Sequence, residues 1–136
     1  MPDLFTWNDS YSVKVNLCDA QHQKLFAIMN DLADAMRAGK GSTIIRRTAA
    51  ELLQYTRTHF QQEEALLRKA HYPQIAPHQL MHRRFVADVE LLDRQAREGH
   101  STNSVAVLNM LRDWLANHIQ KMDKAYSAHL NAAGIR

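Results

Sequence analysis

Five histidines and a glutamate stand where a helical chain would place its apolar stripe. In HFQQEEALL, residues 59–67, a turn of about 100° per residue sets His59, Phe60, Glu63, Leu66 and Leu67 on one face. The same spacing joins His22 to Leu25, Phe26, Met29, Leu32, Ala33 and Met36, and joins His78 and His82 to Met81, Phe85, Val89, Leu92 and Ala96. A fourth stripe carries His118 with Val107, Leu108, Leu111, Leu115, Ile119 and Met122. One histidine in a core seam is ordinarily satisfied by a neighbour. Five across these stripes are harder to dismiss, because each unpaired buried polar group costs roughly 1–3 kcal/mol and a buried carboxylate more.

The elements that must gather these residues are helices. An N-terminal arm ends near Leu17, Asp19 is the expected cap of the first helix, and GKGS at 39–42 ends it. A second helix runs from about Ser42 to HYPQIAP, where Pro73 and Pro77 break the chain. A third starts about Pro77 and stops at EGHSTN; a fourth spans about Thr102 to Asn131. Short connections make antiparallel neighbours, so the expected fold is all-α, an up-down-up-down four-helix bundle with residues 1–17 as an arm and 1–136 as a single domain. At ~1.5 Å per residue, His22 and His59 lie ~24 and ~26 Å from the turn joining their helices, and His82 and His118 each lie ~24 Å from theirs. His78 is one turn beyond His82. The imidazoles and Glu63 therefore collect in one zone of the interior, which is the arrangement of a metal site.

Asp123 lies five residues past His118, a rotation of about 140°. It is either a surface carboxylate or one that reaches inward, through a local helix distortion, to a second metal. Low aromatic content (7%), 4 Gly and 3 Pro, with no alternating β-branched run, argue against a sheet protein. No basic-then-apolar leader and no 18-residue apolar run occur, so neither a signal peptide nor a membrane span is expected, and the expected location is cytoplasmic. The single cysteine, Cys18, has no partner for a disulfide and reads as a small apolar filler. Net charge is +3, but Arg46, Arg47, Arg57, Arg68, Lys69, Arg83, Arg84 and Arg94 are scattered among acids. That is a solvated outer face, with no aromatic interleaving for nucleic acid. His71, His100 and His129 fall in connections or near the C-terminus and are expected to be exposed.

The strings DAQH at 19–22, HFQQEE at 59–64, HQLMH at 78–82 and WLANHIQKMD at 114–123 resemble the hemerythrins, specifically the single-domain bacteriohemerythrins. Trp7 and Tyr72-Pro73 fit the same family, and the resemblance covers essentially the whole chain. It implies that His78, His82 and His118 bind one iron, that His22 and His59 bind the other, and that Glu63 and Asp123 bridge both. Two non-haem Fe2+/Fe3+ ions with a bridging oxo or hydroxo oxygen would then have one coordination position open, on the iron of His22 and His59. Leu115, Phe60 and Ile119 would line the O2 pocket beside it. The chain departs from the family at Cys18, where a larger aliphatic residue is usual, at Lys14, where a glycine is common, and at His71, where a glycine often closes the second helix.

The function this implies is reversible O2 binding, for oxygen storage, transport or delivery to oxygen-requiring enzymes. O2 takes two electrons from the ferrous pair and returns them on release. The protein is then no enzyme, and a monomer serving an oxygen-using partner is expected. A di-iron oxidase or peroxidase is the alternative, but ferritin-like enzymes use Glu-x-x-His pairs and no glutamate here stands three residues before a histidine. A zinc hydrolase lacks its HExxH. Sensing of O2, NO or redox state would need a separate partner, since one bundle occupies the 136 residues.

Overall fold

The apolar stripes fold as helices: α1, Asn16–Arg37; α2, Ser42–Lys69; α3, Ile75–Arg97; α4, Ser104–Asn117; and a short α5, Ser127–Ala132. The computed structural model describes residues 5–39, 42–99 and 104–136. The architecture is the expected all-α four-helix bundle with a short N-terminal segment, in which α2 packs on α1 and on α3 while α1 meets α4. Leu25, Met29 and Leu32 of α1, Leu52 and Phe60 of α2, Phe85, Val89 and Leu92 of α3, and Leu111 and Leu115 of α4 form one buried cluster. Full burial of each such side chain contributes roughly 1.5–3 kcal/mol. Ile45, Leu66, Met81 and Met122 sit half-buried at the margins of their stripes. The side chains of Val107 and Leu108, and His100 and Thr102 altogether, lie outside the described residues. The arginines and Lys69 named above are exposed, as their interspersed acids imply.

A second, smaller cluster joins Val13 and Val15 of the arm to Cys18, Leu67, Ala70, Tyr126 and Leu130. Cys18 is free and fully buried, and burial together with the Glu63 charge pushes its thiol up to about 12, so it is the inert filler expected. Asn131 Nδ2 ties this end together, donating to the carbonyls of Lys14 at 3.0 Å and Ile135 at 2.8 Å. At the other end of the arm, Asn30 accepts from the Phe5 N–H at 2.8 Å and donates to its carbonyl at 2.9 Å.

Several boundaries differ from the expectation. α1 begins at Asn16, so the arm ends at Val15 and not at Leu17, and the N-cap residue Val15 supplies no side-chain bond. Asp19 lies inside the first turn and reaches back, accepting from the Val13 N–H at 2.8 Å and the Ser12 hydroxyl at 2.7 Å. α3 begins at Ile75, which leaves Pro77 in the first turn, where a missing N–H costs no hydrogen bond. The fourth helix is not continuous to Asn131. After Asn117 it becomes a π-helical turn, His118–Asp123, then a 3-10 turn, Lys124–Tyr126, before α5.

The closure of α2 is strained. Tyr72 N–H donates to Leu67 O at 2.9 Å and His71 N–H to Arg68 O at 3.0 Å, which is the double closure that needs a left-handed residue. That residue is His71, at φ 55°, whereas the equivalent closure of α5 uses Gly134, at φ 83°. Lys14 is also left-handed, at φ 59°. A side chain in this conformation costs about 1–2 kcal/mol, offset in part by the greater unfolded freedom of glycine. His71→Gly and Lys14→Gly are therefore each expected to stabilise the fold by roughly 0.5–1 kcal/mol. Denaturant midpoints at constant slope measure this, and an unchanged or lowered midpoint at both sites would contradict it.

Candidate metal centre

His22, His59, Glu63, His78, His82, His118 and Asp123 all lie between the two apolar clusters, and the most exposed of them, His59 and His82, are only 2% exposed. α1 supplies His22, α2 supplies His59 and Glu63, and α3 supplies His78 and His82. The π turn supplies His118 and Asp123 at its two ends. Hydrogen bonding from i to i+5 brings residues five apart onto one face, so the distortion turns Asp123 inward beside His118. Of the two readings open for Asp123, the inward one is observed.

The two carboxylates straddle the imidazoles. Glu63 Oε1 lies 2.8 Å from His78 Nε2 and 3.1 Å from His82 Nε2, while its Oε2 lies 3.4 Å from both His22 Nε2 and His59 Nε2. Asp123 Oδ1 is 2.9 Å from His78 Nε2 and 3.0 Å from His118 Nε2, and its Oδ2 is 3.1 Å from His22 Nε2. One group of ligand atoms thus comes from Glu63, His78, His82, His118 and Asp123, and a second from His22, His59 and Glu63.

Protein atoms alone leave this arrangement unsatisfied. His82 Nδ1 is 2.8 Å from Glu64 Oε2, and His59 Nδ1 is 2.6 Å from Gln21 Oε1. Both oxygens only accept, so both Nδ1 atoms donate and each neutral ring turns a lone pair inward at Nε2. His82 Nε2 then faces the Glu63 Oε1 carboxylate oxygen at 3.1 Å, acceptor against acceptor. Both Asp123 oxygens and both His22 nitrogens make no hydrogen bond despite their contact distances. Buried carboxylate oxygens and imidazole nitrogens that stand close without hydrogen-bonding fit cations placed between them. Without a metal, protons take that place. Burial lowers the His22 and His78 pKa values, but the close approach of the Asp123 and Glu63 carboxylates and their negative charges outweigh it, raising them to about 9 and about 10. Burial prevails at His59 and lowers it. Burial raises the Glu63 and Asp123 carboxyls, yet the surrounding imidazoles hold both well below the usual range.

Some residues of the site carry no mark in the apolar pattern. The Tyr126 hydroxyl donates to Glu63 Oε2 at 2.9 Å; its position three residues past Asp123 was the available signal. Glu64 and Gln21 look like solvated helix polarity, and only their adjacency to Glu63 and His22 hints otherwise. Trp114 stacks on His118 at 4.4 Å, and Phe60 on His82 at 3.8 Å. Leu115, Ile119 and Phe60 are all buried beside them. His71 is exposed as expected. His129 is not: it is half-buried, its Nε2–H donates to the Ala70 carbonyl at 2.6 Å, and its ring packs against Tyr72, because α5 folds back over the end of α2.

Residues 13–130 match the family described as Hemerythrin HHE cation binding domain. A bacteriohemerythrin of Methylococcus capsulatus is 32% identical over 130 residues, covering 95% of this chain and 98% of that one. Myohemerythrin-1 of Phascolopsis gouldii is 30% identical over 131 residues, covering 96% and 98%. The crystal structure of a wild-type hemerythrin superposes with a TM-score of 0.85 at 31% identity, over 93% of this chain and 98% of that one. No helix of the described residues is long and apolar enough to cross a membrane. With its fold, its His/Glu/Asp cluster and these relatives in agreement, the chain belongs to the hemerythrin HHE family.

Proposed function

We propose that the chain, as one domain over residues 1–136, binds O2 reversibly at a non-haem di-iron centre and stores or delivers it. In this reading His78, His82 and His118 would hold one iron, His22 and His59 would hold the other, and Glu63 and Asp123 would be shared between them. The observation that carries it is the straddling of Glu63 and Asp123, each with one oxygen toward either imidazole group. When bound, the iron pair supplies two electrons to O2 and recovers them on release.

The protein's own contribution is position and exclusion. His22 and His59 are one imidazole fewer than the opposite group, so in this reading the open coordination position would fall on their side. Leu115, Ile119 and Phe60, exposed by 1%, 0% and 4%, form an apolar wall that keeps water and anions away. Tyr126 holds Glu63 in place as a donor, because burial and the Glu63 and Asp123 charges keep its phenol protonated. A carrier fits better than an oxidase or peroxidase because, among the described residues, no uncommitted acid or base faces the site. Outside the cluster, the other buried polar residues described are Asn30, bonded to Phe5, Thr56, bonded to Leu53 O, and Asp93, bonded to Arg97.

Anaerobic titration with Fe(II) is expected to saturate near two equivalents per chain, and the loaded protein to show an absorption band that comes and goes with O2. Saturation at one equivalent, or steady O2 consumption with no reversible band, would sink the carrier reading.

At pH 7 the metal-free protein carries protons on His22 and His78, so loading releases them and metal affinity rises with pH. Binding heats compared across buffers of different ionisation enthalpy report the release. Both pKa values are raised above the ordinary 6.5, so their stabilisation is full below that pH and is lost as pH climbs through about 9 to about 10. The melting temperature of metal-free protein should fall across this window while that of loaded protein holds. A flat metal-free profile would contradict the assignment.

Leu115→Ala is expected to cost about 2–5 kcal/mol in stability yet to load both irons and form the oxygenated species. Decay of that species should be faster than in wild type, and faster again with azide. Equal decay at equal iron content would leave Leu115 as packing alone.

A further inference from the structure

Two of the imidazoles are braced from behind by side chains of different charge. His82 Nδ1–H donates to the carboxylate of Glu64 at 2.8 Å, and His59 Nδ1–H donates to the amide oxygen of Gln21 at 2.6 Å. Gln21 is itself fixed by a hydrogen bond to Gln62. The Nδ1 atoms of His22 and His118 have no hydrogen-bond partner. A carboxylate acceptor draws the ring hydrogen toward itself and leaves more negative charge on the opposite nitrogen than an amide does. The two imidazole groups therefore differ electronically as well as in number: an anion stands behind the group of His78, His82 and His118, and a neutral amide behind the pair. Glu64 can keep its charge because its side chain is 18% exposed, with Arg68 at 4.0 Å.

We propose that Glu64 is a positioning residue that fixes the His82 ring and makes the metal of the His78, His82 and His118 group the more easily oxidised of the pair. This rests on the di-iron reading. When one electron is withdrawn, ferric charge settles beside His82, and the metal of His22 and His59 stays ferrous. The electron passes to the oxidant, no covalent bond breaks, and the Nδ1 hydrogen shifts toward Glu64 without leaving the ring. The asymmetry is a property of this chain's side chains: exchanging the Glu64 carboxylate for an amide should reduce it by raising the first potential, and exchanging the Gln21 amide for a carboxylate should reduce it by lowering the second.

The test is stepwise oxidation of anaerobic iron-loaded protein with ferricyanide, with potentials read spectroelectrochemically. Glu64→Gln keeps an acceptor oxygen and removes the charge. At wild-type iron content it should favour ferrous iron in the first step by about tenfold, 59 mV for a one-electron couple. Glu64→Asp should recover most of that loss, and Gln21→Glu should narrow the gap between the first and second steps. Wild-type potentials in Glu64→Gln at full iron content would overturn the proposal. Absence of two bound irons in the wild type would instead overturn the di-iron reading. The bracing of His82 is then read by nitrogen-15 NMR of zinc-loaded protein, where a deshielded Nδ1–H should be present in wild type and lost in Glu64→Ala. Its absence from wild type would overturn the positioning role.

Discussion

Glu63 and Asp123 are carboxylates with no exposed surface, and that burial is the constraint from which the rest of the structure follows. A buried charge left uncompensated costs several kcal/mol, so positive charge must be brought to both sides of each carboxylate. Five imidazoles from α1, α2, α3 and the π turn are directed at the pair, and Tyr126 adds a neutral donor. None of these groups has solvent as an alternative partner. Folding and cation uptake are for that reason parts of one equilibrium, in which protons on His22 and His78 substitute imperfectly for metal.

The bundle serves as a ruler for this pair. Antiparallel helices of comparable length bring residues equally far from a shared turn to the same height, and the apolar cluster around Leu25, Phe85 and Leu111 fixes that height by packing. The π turn, followed by the 3-10 turn that carries Tyr126, is where the site departs from regular helix. A continuous α-helix would leave Asp123 about 140° away from His118, on another face. Stacking of Phe60 on His82 and Trp114 on His118 limits ring rotation and presents an apolar surface to the remaining space.

The bundle and most of the cluster could be read from the chain because both depend on periodicity. His22, His59, Glu63, His78, His82 and His118 interrupt apolar stripes, and equal counts from the turns bring them level. Asp123 could not be placed that way, since the distortion that turns it inward has no glycine or proline to announce it. Glu64 and Gln21 were missed for a different reason: partners of ligand rings sit at the rim of a helix face, where polar residues are the rule. His129 was misread because its burial comes from the fold-back of α5, a long-range contact that no local pattern encodes. Lys14 and His71 stood out only against the family's glycines, and their left-handed backbones give that difference a physical meaning.

The Asn131 bridge to Lys14 and Ile135 ties the inner end of the arm and the C-terminal segment to the cluster that holds Tyr126, which donates to Glu63. A pull on the C-terminal segment therefore acts close to the seat of a buried carboxylate, whereas one on the arm is met first by the Phe5–Asn30 bonds. A surface tether, a bulky label or a fused protein at the C-terminal segment thus loads the centre, whereas attachment through the outward arginines of α2 and α3 leaves it slack. An immobilised form of this protein would hold its buried carboxylates differently according to where it was anchored.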